Sequence, residues 1–170
     1  MSARIEIRPA TPEDAEAIAE VHLQSHRETY PPLMGEQNYW RPPGKDQRLA
    51  HWRQSLAGQD AGQDIVFVAV VGGRVVGFTH AVSEKITTLY ILAAWHRQGI
   101  GRALLRRICQ ALAARGIARA RFAVLAVNEA AIRFYLALGA EPAGTIQVDE
   151  QGEEQSIRYE DRLFEIPTGN

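Results

Sequence analysis

The stretch "WHRQGIGRALLRRICQAL", residues 95–112, sets Gly99 and Gly101 one residue apart at the head of an arginine-rich run. Behind them Ile100, Leu104, Leu105, Ile108 and Leu112 recur at helical spacing, and Gly116 is placed to end the helix they predict. The preceding "TTLYILA" is rich in β-branched and aromatic residues and reads as a strand. Strand, glycine turn and helix in that order make backbone N–H groups converge at a helix N-terminus. Such a turn suits an anion, phosphate above all, although a purely structural turn has the same appearance.

Two competing glycine motifs fail on inspection. A dinucleotide fingerprint needs a third small residue where Leu104 stands, and an acid about 20 residues further on, which is missing. Gly72 and Gly77 have the gap of a P-loop, but Phe78 and Thr79 follow them, and the pair lies inside a strand–turn–strand pattern.

Charge is segregated around the turn. Ile86 to Asn128 contains no Asp or Glu, while Arg97, Arg102, Arg106, Arg107, Arg115, Arg119 and Arg121 all fall there. From Glu129 onward nine acids face three arginines. This describes either a solvated face or a local positive field for a polyanionic ligand, and charge alone does not separate the two.

The whole chain sets the bounds. Its 170 residues, 46% hydrophobic and 23% charged, predict one domain spanning 1–170 with a core that needs neither disulfide nor structural metal. A net charge of −1 argues against a nucleic-acid binder. No apolar run approaches a membrane span, "MSARIEIRPATPED" has no signal-peptide core, and Cys109 stands alone. A reducing cytoplasm, away from the membrane, is the expectation.

"IEIRPA" alternates as a strand; "TPEDAEAIAEVHLQSH" opens a helix with Thr11 as cap, Pro12 in the first turn and Asp14 completing a box. Residues 31–46 are rich in Pro and Gly and predict a loop or broken helix, with a short helix in "QRLAHWRQSLA". "DIVFVAVVGGRVVGFTHAVS" predicts a hairpin turning at Gly72-Gly73. "ARFAVLAV" reads as a strand, "NEAAIRFYLALG" as a helix from cap Asn128 to Gly139, and "TIQVDEQGEEQSIRYEDRLFE" as a closing hairpin. The fold class expected is mixed α/β: a single-domain mixed sheet of six to seven strands flanked by helices.

"LYILAAWHRQGIGRALL" followed by "VNEAAIRFYLALGA" resembles the central and C-terminal motifs of the GNAT superfamily of acetyl-CoA-dependent N-acetyltransferases. Gly99 and Gly101 match the glycines of its Gln/Arg-x-x-Gly-x-Gly/Ala signature; Asn128, Tyr135, Leu138 and Gly139 match its second part. The likeness extends over the element order of nearly the whole chain. It implies acetyl-CoA as cosubstrate with no metal, a small-molecule or protein amine as acceptor, and a homodimer as an assembly common in the superfamily. It also implies two splayed parallel strands at the cofactor site, here "TTLYILA" and "RFAVLAV". The turn at His96, Arg97, Gln98, Gly99, Ile100, Gly101 and Arg102 would hold the pyrophosphate, and Asn128 the pantetheine arm. Backbone N–H groups of Ile91 and Leu92 would stabilise the oxyanion. Tyr135, two helical turns beyond Asn128, would protonate the leaving thiolate; a core aromatic is its competing role.

The chain departs from the pattern in two places. His96 stands where the signature has Gln or Arg. Lys85 stands where many relatives carry a proton-relaying glutamate, leaving Glu84, one residue displaced, as the candidate base, with His80, His26 and Tyr30 behind it. An acyl-CoA-binding sensor without turnover is the rival reading, favoured by that missing glutamate. His22 and His26, four apart, lack a third metal ligand. Cys109 reads as a small buried residue, and Trp40, Trp52, Tyr30 and Tyr39 as an acceptor pocket or the core beneath the early helices.

Overall fold

The computed structural model describes residues 4–36, 43–151 and 156–169. Seven strands form one sheet: β1 (Ile5–Pro9), β2 (Asp64–Val71), β3 (Arg74–Val82), β4 (Lys85–Ile91), β5 (Arg119–Leu125), β6 (Glu141–Gln151) and β7 (Ser156–Pro167). Their spatial order is β1-β2-β3-β4-β5-β7-β6, and every pairing is antiparallel except the parallel β4–β5. Helices α1 (Ala15–Met34), α2 (Lys45–Asp60), α3 (Ile100–Ala114) and α4 (Glu129–Ala137) complete the mixed α/β architecture.

Strand β2 shows why the sequence chooses this layering. From Ile65 to Val71 it is an unbroken apolar run, because both of its faces are covered. Ile65, Phe67, Ala69 and Val71 join Leu104, Ile108 and Leu112 of α3 in one core. Val66, Val68 and Val70 join Ile18 of α1 and Trp52 and Leu56 of α2 in another. Alternation along a strand divides these residues between the faces, and full burial of each large apolar side chain contributes about 1.5–3 kcal/mol. Truncating Leu104, fully buried, to Ala would cost about 2–5 kcal/mol.

The turns follow local chemistry. Gly72 and Gly73 have φ of 57° and 79°, the pair of positive values a tight hairpin demands. At the start of the first helical segment the Thr11 N–H donates to Asp14 Oδ2 at 2.8 Å. The Arg8 guanidinium grips the same carboxylate at 2.7 and 2.9 Å and, against the penalty of burial, holds it below the usual carboxylate range.

The Pro-rich region departs from the expected loop. Helix α1 continues through Pro31 and Pro32 to Met34, ending where Gly35, φ 79°, donates to the Pro31 carbonyl at 2.9 Å. Prolines remove two helix donors, but here they fall in the last turn, where few bonds depend on them. Tyr39 and Trp40 lie outside the described residues. Among the described residues no helix is long and apolar enough to cross a membrane.

Candidate active site

Strands β4 and β5 share the single pair Lys85↔Arg121, reinforced by the Arg121 N–H donating to the Glu84 carbonyl at 2.9 Å. Beyond it no ladder joins them. The cause lies in β4. Its pairing with β3 shifts between His80↔Thr88 and Ala81↔Ile86, leaving Thr87 as a bulge. A bulge bends its strand and increases its twist, here directly after the shared pair. Thr87 Oγ1 is held 2.8 Å from His80 Nδ1, and His80 Nε2 lies 2.6 Å from Asp64 Oδ1. His80 is therefore a buried structural group behind β3, not a base in the cleft.

Between the parted strands lies a cleft of about 830 Å³. It passes from the α3–α4 face of the sheet, at Gly99, Gly101, Asn128 and Tyr135, to the α1 face, at Tyr30, Tyr90, Tyr159 and Asp161. Ladder alternation determines which amides of β4 face it. The Leu92 N–H donates to the Val76 carbonyl at 2.9 Å, so the N–H groups of Ile91 and Leu89 point the other way, toward β5. This corrects the expectation for Leu92: its amide belongs to the β3–β4 ladder and only that of Ile91 faces the opening.

The turn after β4 passes through a short 3₁₀ turn at Ala93–Trp95, then Arg97 with φ 65° and Gly99 with φ 82°, before α3 begins at Ile100. Left-handed residues among right-handed ones turn successive N–H groups inward, making a concave nest at a helix N-terminus. Gly101 serves a different need. A Cβ there would come within 3.1 Å of the Phe134 ring and 3.2 Å of Ile91 Cδ1, so it permits close packing of α3 against α4 and β4. Arg97 and Arg102 are exposed and line the cleft; Gln98 is exposed and does not. The His96 ring donates from Nε2 to the Ile91 carbonyl at 2.8 Å, which ties the turn back to the strand end.

Asn128 Oδ1 caps α4 by accepting from the Ala131 N–H at 3.2 Å. Two turns on, the Tyr135 ring packs against Phe122 with centroids 4.4 Å apart. Burial pushes its phenol above the ordinary tyrosine value, so at neutral pH it carries a proton.

Glu84, expected as the base, is misplaced for that role. It sits exposed in the β3–β4 turn beside Ser83, whose φ is 52°. Six residues of strand at roughly 3.3 Å each separate Lys85 from Ile91, about 20 Å, and Glu84 is not on the cleft wall. On the α1 side His26 does line the cleft, but burial first, then the Arg48 charge, lowers its pKa to about 4. His22 accepts from Trp52 Nε1 at 3.2 Å through Nδ1 and is lowered to about 2 by burial, which makes it structural. Burial pushes the Cys109 thiol up to about 11.

Among the cleft residues that escaped the sequence reading are Thr88 and Tyr90 on β4, Glu150 on β6, and Tyr159 and Asp161 on β7. Tyr159 Oη donates to Glu150 Oε2 at 2.9 Å. Along β7, Ile157, Tyr159, Asp161 and Leu163 are sheltered while Arg158, Glu160 and Arg162 are exposed. An acid in phase with the sheltered residues of a strand was the signal available.

No curated protein matches the sequence. Among solved structures, the fold is similar to an N-acetyltransferase from Staphylococcus aureus Mu50 at TM-score 0.75 and 22% identity, covering 98% of this chain and 99% of that one. It is also similar to the PaiA N-acetyltransferase from Thermoplasma acidophilum in complex with coenzyme A, at TM-score 0.73 and 20% identity, covering 96% and 99%. YncA of Salmonella typhimurium, a protein solved with acetyl-CoA, aligns at TM-score 0.71 and 22% identity over 98% and 95%. The sequence model of the acetyltransferase (GNAT) family matches residues 16–140, nearly three quarters of the chain, and the protein belongs to that family.

Proposed function

We propose that the protein moves an acetyl group from acetyl-CoA to a primary amine by direct attack while both substrates are bound. The single-pair contact of β4 with β5 carries this reading. It leaves a strand edge free to bond a peptide-like pantetheine arm and joins the nest on one face of the sheet to a pocket on the other. The nest from Arg97 to Arg102 supplies inward N–H groups and positive charge for the phosphates. The Ile91 N–H faces the cleft, where it would steady the thioester oxygen as negative charge develops there. The protonated Tyr135 phenol is suited to give its proton to the departing thiolate.

A primary amine of lysine type has a pKa near about 10.4 and is mostly protonated at pH 7, so turnover needs a proton acceptor. With Glu84 outside the cleft, an acyl-CoA-binding protein without turnover is the second reading. One assay separates them: incubation with acetyl-CoA and a panel of amines, following free thiol. The expected result is thiol release that depends on an amine. Tight acetyl-CoA binding with no amine-dependent release would establish the binding protein instead.

A further inference from the structure

Granting that reading, we infer that Asp161 docks the acceptor's ammonium group and takes its proton, and that the acceptor is a cationic amine with an apolar body and no carboxylate beside the nitrogen. Register places Asp161 at the reacting end of the cleft. It lies opposite Leu125 across the β5–β7 ladder. Leu125 is four residues beyond Arg121, and on β4, with the Thr87 bulge discounted, Tyr90 is four ladder steps beyond Lys85, their β3 partners being Phe78 and Val82. Asp161 therefore stands level with the part of β4 whose amides face the opening.

Its surroundings leave it available. Among the described residues the Asp161 carboxyl makes no hydrogen bond and no ion pair, whereas that of Glu150 accepts from Tyr159. Burial and the nearby Glu150 charge raise its carboxyl above the ordinary aspartate value, with Lys85 opposing. The titratable and charged groups around it are Glu150 on β6, Tyr159 on β7, Lys85 and Tyr90 on β4, Tyr30 and His26 on α1, and, behind these, Arg48 on α2, whose charge acts on both His26 and Tyr90. At neutral pH the tyrosines and His26 are uncharged, which leaves the Glu150 and Asp161 carboxyls with the Lys85 ammonium and the more distant Arg48 guanidinium. Asp161 and Glu150, the acids of the cleft among the described residues, lie close enough to act on one another and form a local acidic patch that attracts a cation and repels a carboxylate.

Two further observations point to a ligand there. The Tyr30 and Tyr90 hydroxyls lie 2.9 Å apart and present ring faces and edges as an aromatic wall, which suits an alkylammonium. Thr88 Oγ1, on the same cleft wall, is buried with no partner among the described residues. His26, at about 4, holds a proton weakly for a base, whereas the Asp161 carboxyl, raised above its ordinary value, stands unpaired among the described residues beside the aromatic wall.

The step balances. Asp161 takes one proton from the ammonium and passes it to solvent. The freed nitrogen lone pair forms the N–C bond as the C–S bond breaks, and the sulfur takes the Tyr135 proton. The second proton leaving nitrogen restores Tyr135 through solvent, so each turnover yields an amide, free coenzyme A thiol and one H⁺.

The probes are phenethylamine and phenylalanine, which share an aromatic body and differ by the carboxylate beside the amine. Wild type should acetylate phenethylamine with kcat/KM at least tenfold above phenylalanine. Asp161→Asn should lose roughly 10²-fold or more for phenethylamine, recovering as pH rises and the amine deprotonates unaided, with acetyl-CoA affinity and melting temperature unchanged. Asp161→Glu should restore part of the rate. Preference for phenylalanine, or an Asp161→Asn variant with wild-type rate and pH profile, would overturn the inference. So would turnover with other amines of the panel but not with phenethylamine, while leaving the acetyltransferase reading intact. Acetyl-CoA binding without release by any amine removes that reading itself.

Discussion

Lys85 and Arg121 are the one residue pair through which the two parallel strands meet, and Thr87, two residues past Lys85, is the bulge that parts them. The bulge is held by Thr87 Oγ1, 2.8 Å from His80 Nδ1 and donating to the His80 carbonyl at 3.2 Å. Thr87→Val keeps the shape and removes both bonds. Chemical denaturation should show a loss of about 1–3 kcal/mol, because His80 Nδ1 is left unpaired in a buried position. A variant as stable as wild type would mean that backbone twist alone maintains the bulge.

Tyr135 packs on Phe122 and carries a raised pKa. Tyr135→Phe keeps the ring contact and removes the proton. If the phenol serves the leaving thiolate, kcat should fall by about 10²-fold, the low end for a general acid. A thiol of reference pKa about 8.5 departs partly unaided, which is why the low end is expected. Acetyl-CoA affinity should hold. Full activity with a lowered melting temperature would leave Tyr135 a core residue.

The two glycines of the turn call for different experiments. A charged side chain at Gly101 would disturb Phe134 and Ile91 as well as any anion, so its effect on affinity would be confounded. Gly101→Ala alone should cost about 1–3 kcal/mol by overpacking. Arg102 is exposed on the cleft wall. Arg102→Glu should weaken acetyl-CoA binding at least tenfold by calorimetry, less so at high salt, with stability within about 0.5 kcal/mol of wild type. Unchanged affinity would take this side chain out of the phosphate site.

What the sequence disclosed was local chemistry. The Gly72-Gly73 turn, the Asn128 cap and the apolar stripe of α3 each depend on residues within a few positions of one another. The run of β2 read only as one strand of a hairpin, and its burial on both faces emerges from the structure. Glu84 and Asp161 failed for the same reason in opposite directions. Whether an acid reaches the cleft depends on where β4 bulges and on which β7 residue stands opposite Leu125, and both are tertiary facts. The Pro31–Pro32 helix end was missed because proline's local penalty shrinks in a last turn, and only the structure shows that α1 is in its last turn there.

Histidine burial should weaken the fold as pH falls below the ordinary imidazole value. His22 is lowered to about 2, His26 to about 4, and His80 is also lowered, burial being the main cause in each. These imidazoles bind protons less readily folded than unfolded, so the unfolded chain takes up protons once pH falls below about 6.5. The stability they confer is complete above that pH and drains below it, toward about 4 for His26 and about 2 for His22. Between roughly pH 6.5 and 5 the ordinary carboxylates remain ionised, so the histidines govern the slope there. Melting temperature should fall steadily across that window. His22→Asn retains an acceptor for the Trp52 indole N–H but has nothing to protonate; it should melt lower at pH 7.5 and show a shallower fall down to pH 5. An identical slope in the variant would show that His22 does not contribute to the acid response.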